Sequence, residues 1–329
     1  MGSVFVTRAV PGDALDRLAE AGHAVDLWPG ELPPPAADLV AHLATADAAL
    51  TMVTDRIDAQ AIAASHSLKV ISNMAVGYDN VDPAVAADAG VWLTNTPGVL
   101  AETTADLAFA LLMAAARQVA RGDRDARAGL WKTWSPTGYL GTDIHGATLG
   151  IVGLGEIGEA MARRARGFGI RILYASRTRK PAAEAAIGAE FTSLDDLLKT
   201  ADFVSLHVPL TPVTRGMIGA RELSLMKSTA ILVNTARGTV IDQAALVHAL
   251  RAATIAAAAL DVTDPEPLPA SHELFSFPNV VITPHIASAS LATRSLMARM
   301  AVANIVEVLA GRRPLNPVNV PTKPRMPLT

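Results

Sequence analysis

The chain has 329 residues, half of them hydrophobic, with a formal net charge of -3 and no cysteine. That length exceeds the usual size of a single core, so two domains are expected, and the weak charge provides no basic field for nucleic acid. The absence of cysteine removes disulfides, thiolate metal sites and cysteine nucleophiles together, and fits a reducing, cytoplasmic compartment.

Met1 to Val10 lacks the charged and apolar regions of a signal peptide. Val4 to Thr7 and Ala24 to Leu27 read as strands around a helical pattern from Gly12 to Ala21, and Trp28 to Pro35 is a proline-rich loop. Ala36 to Leu43 and Ala59 to Ala64 read as helices, and Ala48 to Val53, Lys69 to Asn73 and Val91 to Asn95 as strands. This alternation predicts a doubly wound unit without a glycine fingerprint of its own, which assigns it to substrate rather than to nucleotide. Ligands in such sheets bind beyond the carboxyl ends of strands, where Val76 and Gly77 follow Asn73 with backbone N–H groups suited to a carboxylate.

Thr103-Thr104-Ala105-Asp106 resembles a capping box and opens a long helix expected to reach Arg127 and to carry the chain into a second domain. Within it the longest uncharged apolar run, Leu107 to Ala116, is far shorter than the roughly 18 residues of a membrane span, so no membrane partner is expected. Gly129 to Asp143 is a loop carrying Trp131, Trp134 and Tyr139.

Leu149 to Lys180 reads as strand, glycine turn, helix and second strand. Gly153-Leu154-Gly155-Glu156-Ile157-Gly158 stands between the apolar run ending at Val152 and the helical pattern Glu159 to Phe168, the context a dinucleotide fingerprint requires. One glycine permits the tight turn, the next lets a pyrophosphate approach the backbone, and the third lets helix and strand pack closely. Strands are then expected at Ile170 to Tyr174, Phe203 to Val208, Ala230 to Asn234, Ala256 to Val262 and Val280 to Thr283, with a helix at Gln243 to Arg251. The last helix, Ser290 to Leu309, has spacing that would return it to the first domain, and Arg312 to Thr329 is a proline-rich tail with little reason to fold alone.

Arg237, Glu266 and His285 stand at or near the ends of successive strands, which this architecture gathers on the edge facing the cofactor. A planar guanidinium suits bidentate bonding to a carboxylate. Pro265 and Pro267 stiffen the loop that carries Glu266. His285 has the side chain best suited to give a proton to a carbonyl oxygen as hydride arrives. The remaining histidines show no pair at metal-ligand spacing, so no metal site is expected, and no Ser sits in a G-x-S-x-G elbow.

Over nearly its full length the chain resembles the D-2-hydroxyacid dehydrogenases, and within them the glyoxylate/hydroxypyruvate reductases. The matching segments are Val76 to Asn80, Asn95-Thr96-Pro97, Thr104 to Ala108, the fingerprint, Ser176 to Lys180, Asn234 to Gly238, Leu260-Asp261-Val262 with Glu266-Pro267, and Thr283 to Ile286. The resemblance implies two doubly wound Rossmann-like or flavodoxin-like α/β domains with a cleft between them. A discontinuous substrate domain would take residues 1–97 and 287–329, and a dinucleotide-binding Rossmann domain residues 98–286. It implies NAD(P)H-dependent reduction of glyoxylate and hydroxypyruvate, with D-lactate-type or broad 2-oxo-acid reduction as the rival within the family. A nucleotide-sensing scaffold is the rival from another class. His285 would donate the proton, Glu266 would hold and charge its imidazole, and Arg237, Val76 and Gly77 would bind the substrate carboxylate. The implied cofactor set takes in Thr104, Gly153, Gly155, Glu156, Ile157, Gly158, Ser176, Arg177, Thr178, Val208, Pro209, Thr214, Thr235, Ala236, Arg237, Asp261, His285 and Ala287, with Asp261 on the nicotinamide carboxamide. A homodimer packed through the cofactor domain and the helix from Thr103 to Arg127 is implied as well.

Two positions depart from the family pattern. Ala287 replaces the usual glycine and adds a methyl group near the nicotinamide edge, and Glu156 stands where many relatives carry arginine. The cofactor can be read from the end of the second strand, where the acid that would bond the ribose 2'-OH of NAD is replaced by Ala175-Ser176-Arg177-Thr178-Arg179. With no carboxylate there to repel a 2'-phosphate, and with Arg177 and either Arg179 or Lys180 to bind it, NADP(H) is favoured over NAD(H).

Overall fold

The computed structural model describes residues 1–327, and the chain divides into two compact units. Unit 1 comprises Met1–Leu100 together with the segment from Ser288 onward, and unit 2 is Ala101–Ala287.

Unit 1 runs β1 (Ser3–Val6), α1 (Ala14–Glu20), β2 (Ala24–Leu27), α2 (Ala36–Thr45), β3 (Ala48–Thr51), α3 (Ala59–Ala64), β4 (Val70–Asn73), α4 (Pro83–Asp88) and β5 (Trp92–Thr94). Its strands are parallel in the order β2-β1-β3-β4-β5. Parallel sheets are covered on both faces, and the strands divide their side chains accordingly. Val4, Val6, Leu50 and Val70 pack toward α1, while Phe5, Ala49, Ile71 and Leu93 pack toward α2 and α3. Helix α4 is absent from the sequence reading, although its start is a compact signal. Asp82 caps it by accepting from the N–H groups of Ala84 at 2.8 Å and Val85 at 3.3 Å, and Pro83 occupies the first turn.

Unit 2 opens with α5 (Ala101–Ala116) and α6 (Val119–Arg127), followed by β6 (Thr148–Val152), α7 (Glu156–Arg166), β7 (Arg171–Ala175), α8 (Pro181–Ile187), β8 (Ala189–Phe191), α9 (Leu194–Thr200) and β9 (Phe203–Leu206). It continues through α10 (Ala220–Leu225), β10 (Ile231–Asn234), α11 (Gln243–Arg251), β11 (Ala257–Leu260) and β12 (Val280–Ile282). The sheet order is β12-β11-β10-β9-β6-β7-β8, all parallel. The winding reverses between β6 and β9, so the turn after β6 lies at the switch point where open α/β sheets hold ligands.

The single helix expected from Thr103 to Arg127 breaks at Gln118, whose φ of 53° is left-handed. The loop after α6 returns across the end of α5, where Thr142 N–H donates to Ala116 O at 2.8 Å and the Gln118 amide donates to Leu140 O. Satisfying that carbonyl from a distant segment ends the helix in a way that local periodicity does not report. Helix α6 has no buried residue.

The last helix, α12 (Leu291–Leu309), belongs to unit 1 and covers the β1, β3 and β4 face with Met297, Ala301, Val302, Ile305 and Val308. The described part of the tail beyond it does not fold by itself but docks on unit 1. Val318 N–H donates to Leu93 O at 2.8 Å, and the Asn319 side chain accepts from Leu93 N–H at 2.8 Å while donating to Val91 O at 3.0 Å and Pro83 O at 3.2 Å. Asn319 thereby closes the free edge of β5 and is only 8% exposed. Asn319→Ala leaves the buried Leu93 N–H unpaired, and a loss of about 2 kcal/mol is expected by chemical denaturation. A loss below about 0.5 kcal/mol would mean that water replaces the amide.

Candidate active site

The glycine turn is built around two close approaches and one opening. Gly153 has φ of 97°, and a Cβ there would lie 2.7 Å from His207 O. A Cβ on Gly158 would lie 2.2 Å from Gly153 O, so the first turn of α7 rests directly on β6. Gly155 differs, because a Cβ there would meet nothing within 4 Å. It is the N-cap of α7 and supplies no side-chain cap, which leaves the first N–H groups of the helix open to an anion. Glu156 is exposed in the first turn, and Ile157 is half-buried.

At the end of β7, Ser176 Oγ donates to Thr178 O at 2.6 Å and shapes the turn. Arg179 forms a bidentate pair with Glu184 at 2.8 Å on both bonds, and Lys180 Nζ lies 3.4 Å from Glu159. Of the three cations expected to attract a 2'-phosphate, two are thus engaged with carboxylates. Arg177 is exposed and makes no hydrogen bond or ion pair with a described residue.

The tips of β9 to β12 carry the remaining candidates. After β9, Thr214 Oγ1 donates to Pro209 O at 2.6 Å, closing the loop that begins with Val208. His207, missed by the sequence reading, bonds through Nε2 to Ser205 Oγ at 2.8 Å. Part of its surface meets solvent, but burial of the ring pushes its imidazole down to about 4, so it is neutral at ordinary pH. After β10, Asn234 accepts from Ala236 N–H at 3.0 Å and donates to Arg237 O at 2.9 Å, fixing the Thr235-Ala236-Arg237 turn. Thr235 Oγ1 is buried with no partner among the described residues. A Cβ on Gly238 would lie 1.9 Å from Thr263 O, so the Arg237 turn sits directly against the loop that carries Glu266.

His285 Nδ1 is hydrogen-bonded to Glu266 Oε1. Both side chains are about one-third exposed, 32% and 35%. His285 has φ of 53°, an uncommon conformation for a residue with a Cβ. The buried Asp261 carboxylate holds it there, accepting from Ile286 N–H at 2.8 Å, Thr283 Oγ1 at 2.6 Å and Ala287 N–H at 2.9 Å, while Asp261 O accepts from His285 N–H at 3.0 Å. The side chain expected to reach a nicotinamide is therefore committed largely to its own chain. Ala287 is 7% exposed. Thr104 is buried on α5, away from the strand tips in sequence.

In unit 1, Val76 and Gly77 follow β4 in a half-buried loop, and their N–H groups bond to no described residue. Among the described residues there is no cluster of potential metal ligands, and no helix is long and apolar enough to cross a membrane.

Residues 109–287 match the family model described as the D-isomer specific 2-hydroxyacid dehydrogenase, NAD binding domain. A glyoxylate reductase of Korarchaeum cryptofilum is 50% identical over 317 residues, covering 96% of this chain and 95% of that protein. A Thermus thermophilus protein of solved structure superposes with a TM-score of 0.91 at 51% identity, covering 96% of this chain and 99% of that one. An NADPH-dependent glyoxylate/hydroxypyruvate reductase of Sinorhizobium meliloti, solved with NADP and malonate, gives 0.84 at 33% identity with 96% of both chains covered.

The open Gly155 and the unpartnered Thr235 hydroxyl are features a bound dinucleotide would account for. Gly155→Val should fold with a melting temperature close to that of the parent and weaken dinucleotide binding at least about tenfold by fluorescence titration, the loss of about one charge-assisted hydrogen bond. Gly158→Ala, which drives a methyl group into Gly153 O, should instead lower the melting temperature by several degrees. Equal behaviour of the two variants would refute the distinction.

Proposed function

The chain belongs to the D-isomer specific 2-hydroxyacid dehydrogenase family, nicotinamide-dependent enzymes that interconvert 2-oxo and 2-hydroxy acids, and from that premise we propose glyoxylate and hydroxypyruvate as substrates and NADP(H) as the favoured cofactor. The observation that carries this reading is the His285–Glu266 pair on the strand edge that also bears the glycine turn. A bound nicotinamide would supply hydride to the carbonyl carbon, with the glycine turn holding the dinucleotide's pyrophosphate and the loops after β9 and β10 holding the rest of it. Because Nδ1 of His285 is engaged by Glu266, Nε2 is the atom that delivers the proton to the carbonyl oxygen. Arg237 binds the substrate carboxylate in the bidentate manner that suits a guanidinium, and the N–H groups of Val76 and Gly77 bind it through backbone.

The cofactor assignment rests on Arg177, exposed and unpartnered among the described residues beside a strand end without a carboxylate. NAD(H) lacks the phosphate that such a cation would bind.

The kinetic test is a panel of 2-oxo acids with both reduced cofactors. His285→Ala and Arg237→Ala should each lower kcat/KM for glyoxylate by at least about 100-fold. Arg177→Ala should lower kcat/KM for NADPH about tenfold and leave NADH nearly unchanged. Near-parental activity in either of the first two variants would overturn the roles. Higher efficiency on pyruvate than on glyoxylate would move the assignment to D-lactate-type reduction, and dinucleotide binding without turnover of any 2-oxo acid would favour a nucleotide-sensing scaffold.

We also infer a homodimer. Loop 129–143 exposes Leu130 (62%), Trp131 (67%), Trp134 (79%) and Leu140 (67%), an apolar surface next to a helix with no buried residue. Exposed apolar side chains grouped along one loop are candidates for an interaction surface. Sedimentation should give a dimer that Trp131→Ser with Trp134→Ser converts to monomer; a parental protein that is monomeric at working concentration would remove the inference.

A further inference from the structure

Three successive peptide groups after β4 have their carbonyl oxygens tied down. Ala75 O accepts from Thr96 N–H at 2.9 Å, Val76 O from Asn95 Nδ2 at 2.8 Å, and Gly77 O from Asn73 Nδ2 at 3.0 Å. In a trans peptide the N–H points opposite to the C=O of the same unit. The N–H groups of Val76, Gly77 and Tyr78 are therefore turned away from those anchors, and no described residue accepts from them. Backbone N–H groups left without partners beyond the carboxyl end of a strand are donors available to an anion. We propose that Asn73 and Asn95 are positioning residues that turn these three N–H groups toward the substrate carboxylate, with Tyr78 N–H as a donor beyond Val76 and Gly77. The proposal rests on the reductase reading above.

The chemistry of the anchors supports this role. Asn73 is fully buried, and its amide orientation is set from both ends: Oδ1 accepts from Thr51 Oγ1 at 3.2 Å, and Nδ2 also donates to Asn80 Oδ1 at 3.2 Å. Asn80 in turn donates to the carbonyls of Met52 at 3.1 Å and Asp55 at 2.9 Å, tying the turn after β3 into the same network. A flipped Asn73 amide would set Oδ1 against Gly77 O. Carboxamides suit the task because they donate to a carbonyl without a formal charge. A lysine in either place would compete as a fixed cation, and an aspartate would repel the carbonyl and release the peptide to turn.

Donors of this kind hold the carboxylate in ground and transition states alike, so their loss falls on KM rather than on kcat. The test compares glyoxylate with its neutral amide as substrates and measures oxamate binding to the protein loaded with reduced dinucleotide by calorimetry. Asn73→Asp and Asn95→Asp should each weaken oxamate and raise KM for glyoxylate about tenfold, with kcat little changed. Turnover of the neutral amide and affinity for the dinucleotide should stay at parental values, which a general loosening of unit 1 would not allow. Should Asn73→Asp fail to fold, Asn95→Ala at its half-buried position carries the same comparison. Unchanged oxamate affinity, or a loss shared equally by the amide, overturns the proposal. Parental protein that binds oxamate in a manner sensitive to these variants but reduces no 2-oxo acid refutes the reductase reading and leaves the positioning role of Asn73 and Asn95 standing.

Discussion

A carboxylate that is 1% exposed and faces three hydrogen-bond donors is the constraint on which the loop bearing His285 depends. Burying an ionised group is costly unless its lone pairs are satisfied, and Asp261 is satisfied by the loop it holds, through two backbone N–H groups and a hydroxyl. The same contacts keep His285 in left-handed backbone, a conformation that costs about 1 kcal/mol or more for a residue with a side chain. Glu266 then needs only to reach one ring nitrogen. The order of dependence runs from the buried acid to the loop, and from the loop to the imidazole that Glu266 engages.

Both units follow one physical rule at their strand tips. In each, a parallel sheet covered on two faces leaves the strand tips as the place where backbone polarity meets solvent. Unit 2 uses the tip of β6 to start a helix whose N–H groups lie open beside Gly155. Unit 1 uses the tip of β4 to display N–H groups with no helix at all, by tying the opposing carbonyls to asparagine side chains. Fixed backbone dipoles of this kind would need no reorganisation when an anion arrives.

Much of this was legible in the residues. The glycine turn and the candidates at the strand ends stand out because their residue types are exceptional where they occur, and the strand and helix periods located the tips that carry them. What escaped was set by distant returns of the chain. The break at Gln118 follows from the Leu140 to Thr142 segment reaching back to Ala116, and the docking of Asn319 depends on an edge strand more than 220 residues away. Arg179 and Lys180 stand beside Arg177 in sequence, and their engagement by Glu184 and Glu159 is set by side chains on α8 and α7. Asp82-Pro83, by contrast, was a local signal for α4 that needed only to be read.

Because unit 2 is one continuous stretch and α12 belongs to unit 1, the two halves emerge from the ribosome on different terms. Unit 2 leaves complete, whereas the first hundred residues must wait through all of it for the helix that supplies Met297, Val302 and Ile305 to one face of their sheet. Until then Val4, Val6, Leu50 and Val70 line a face without that cover, the kind of surface that recruits chaperones. Synthesis of this chain thus completes unit 2 first and unit 1 last.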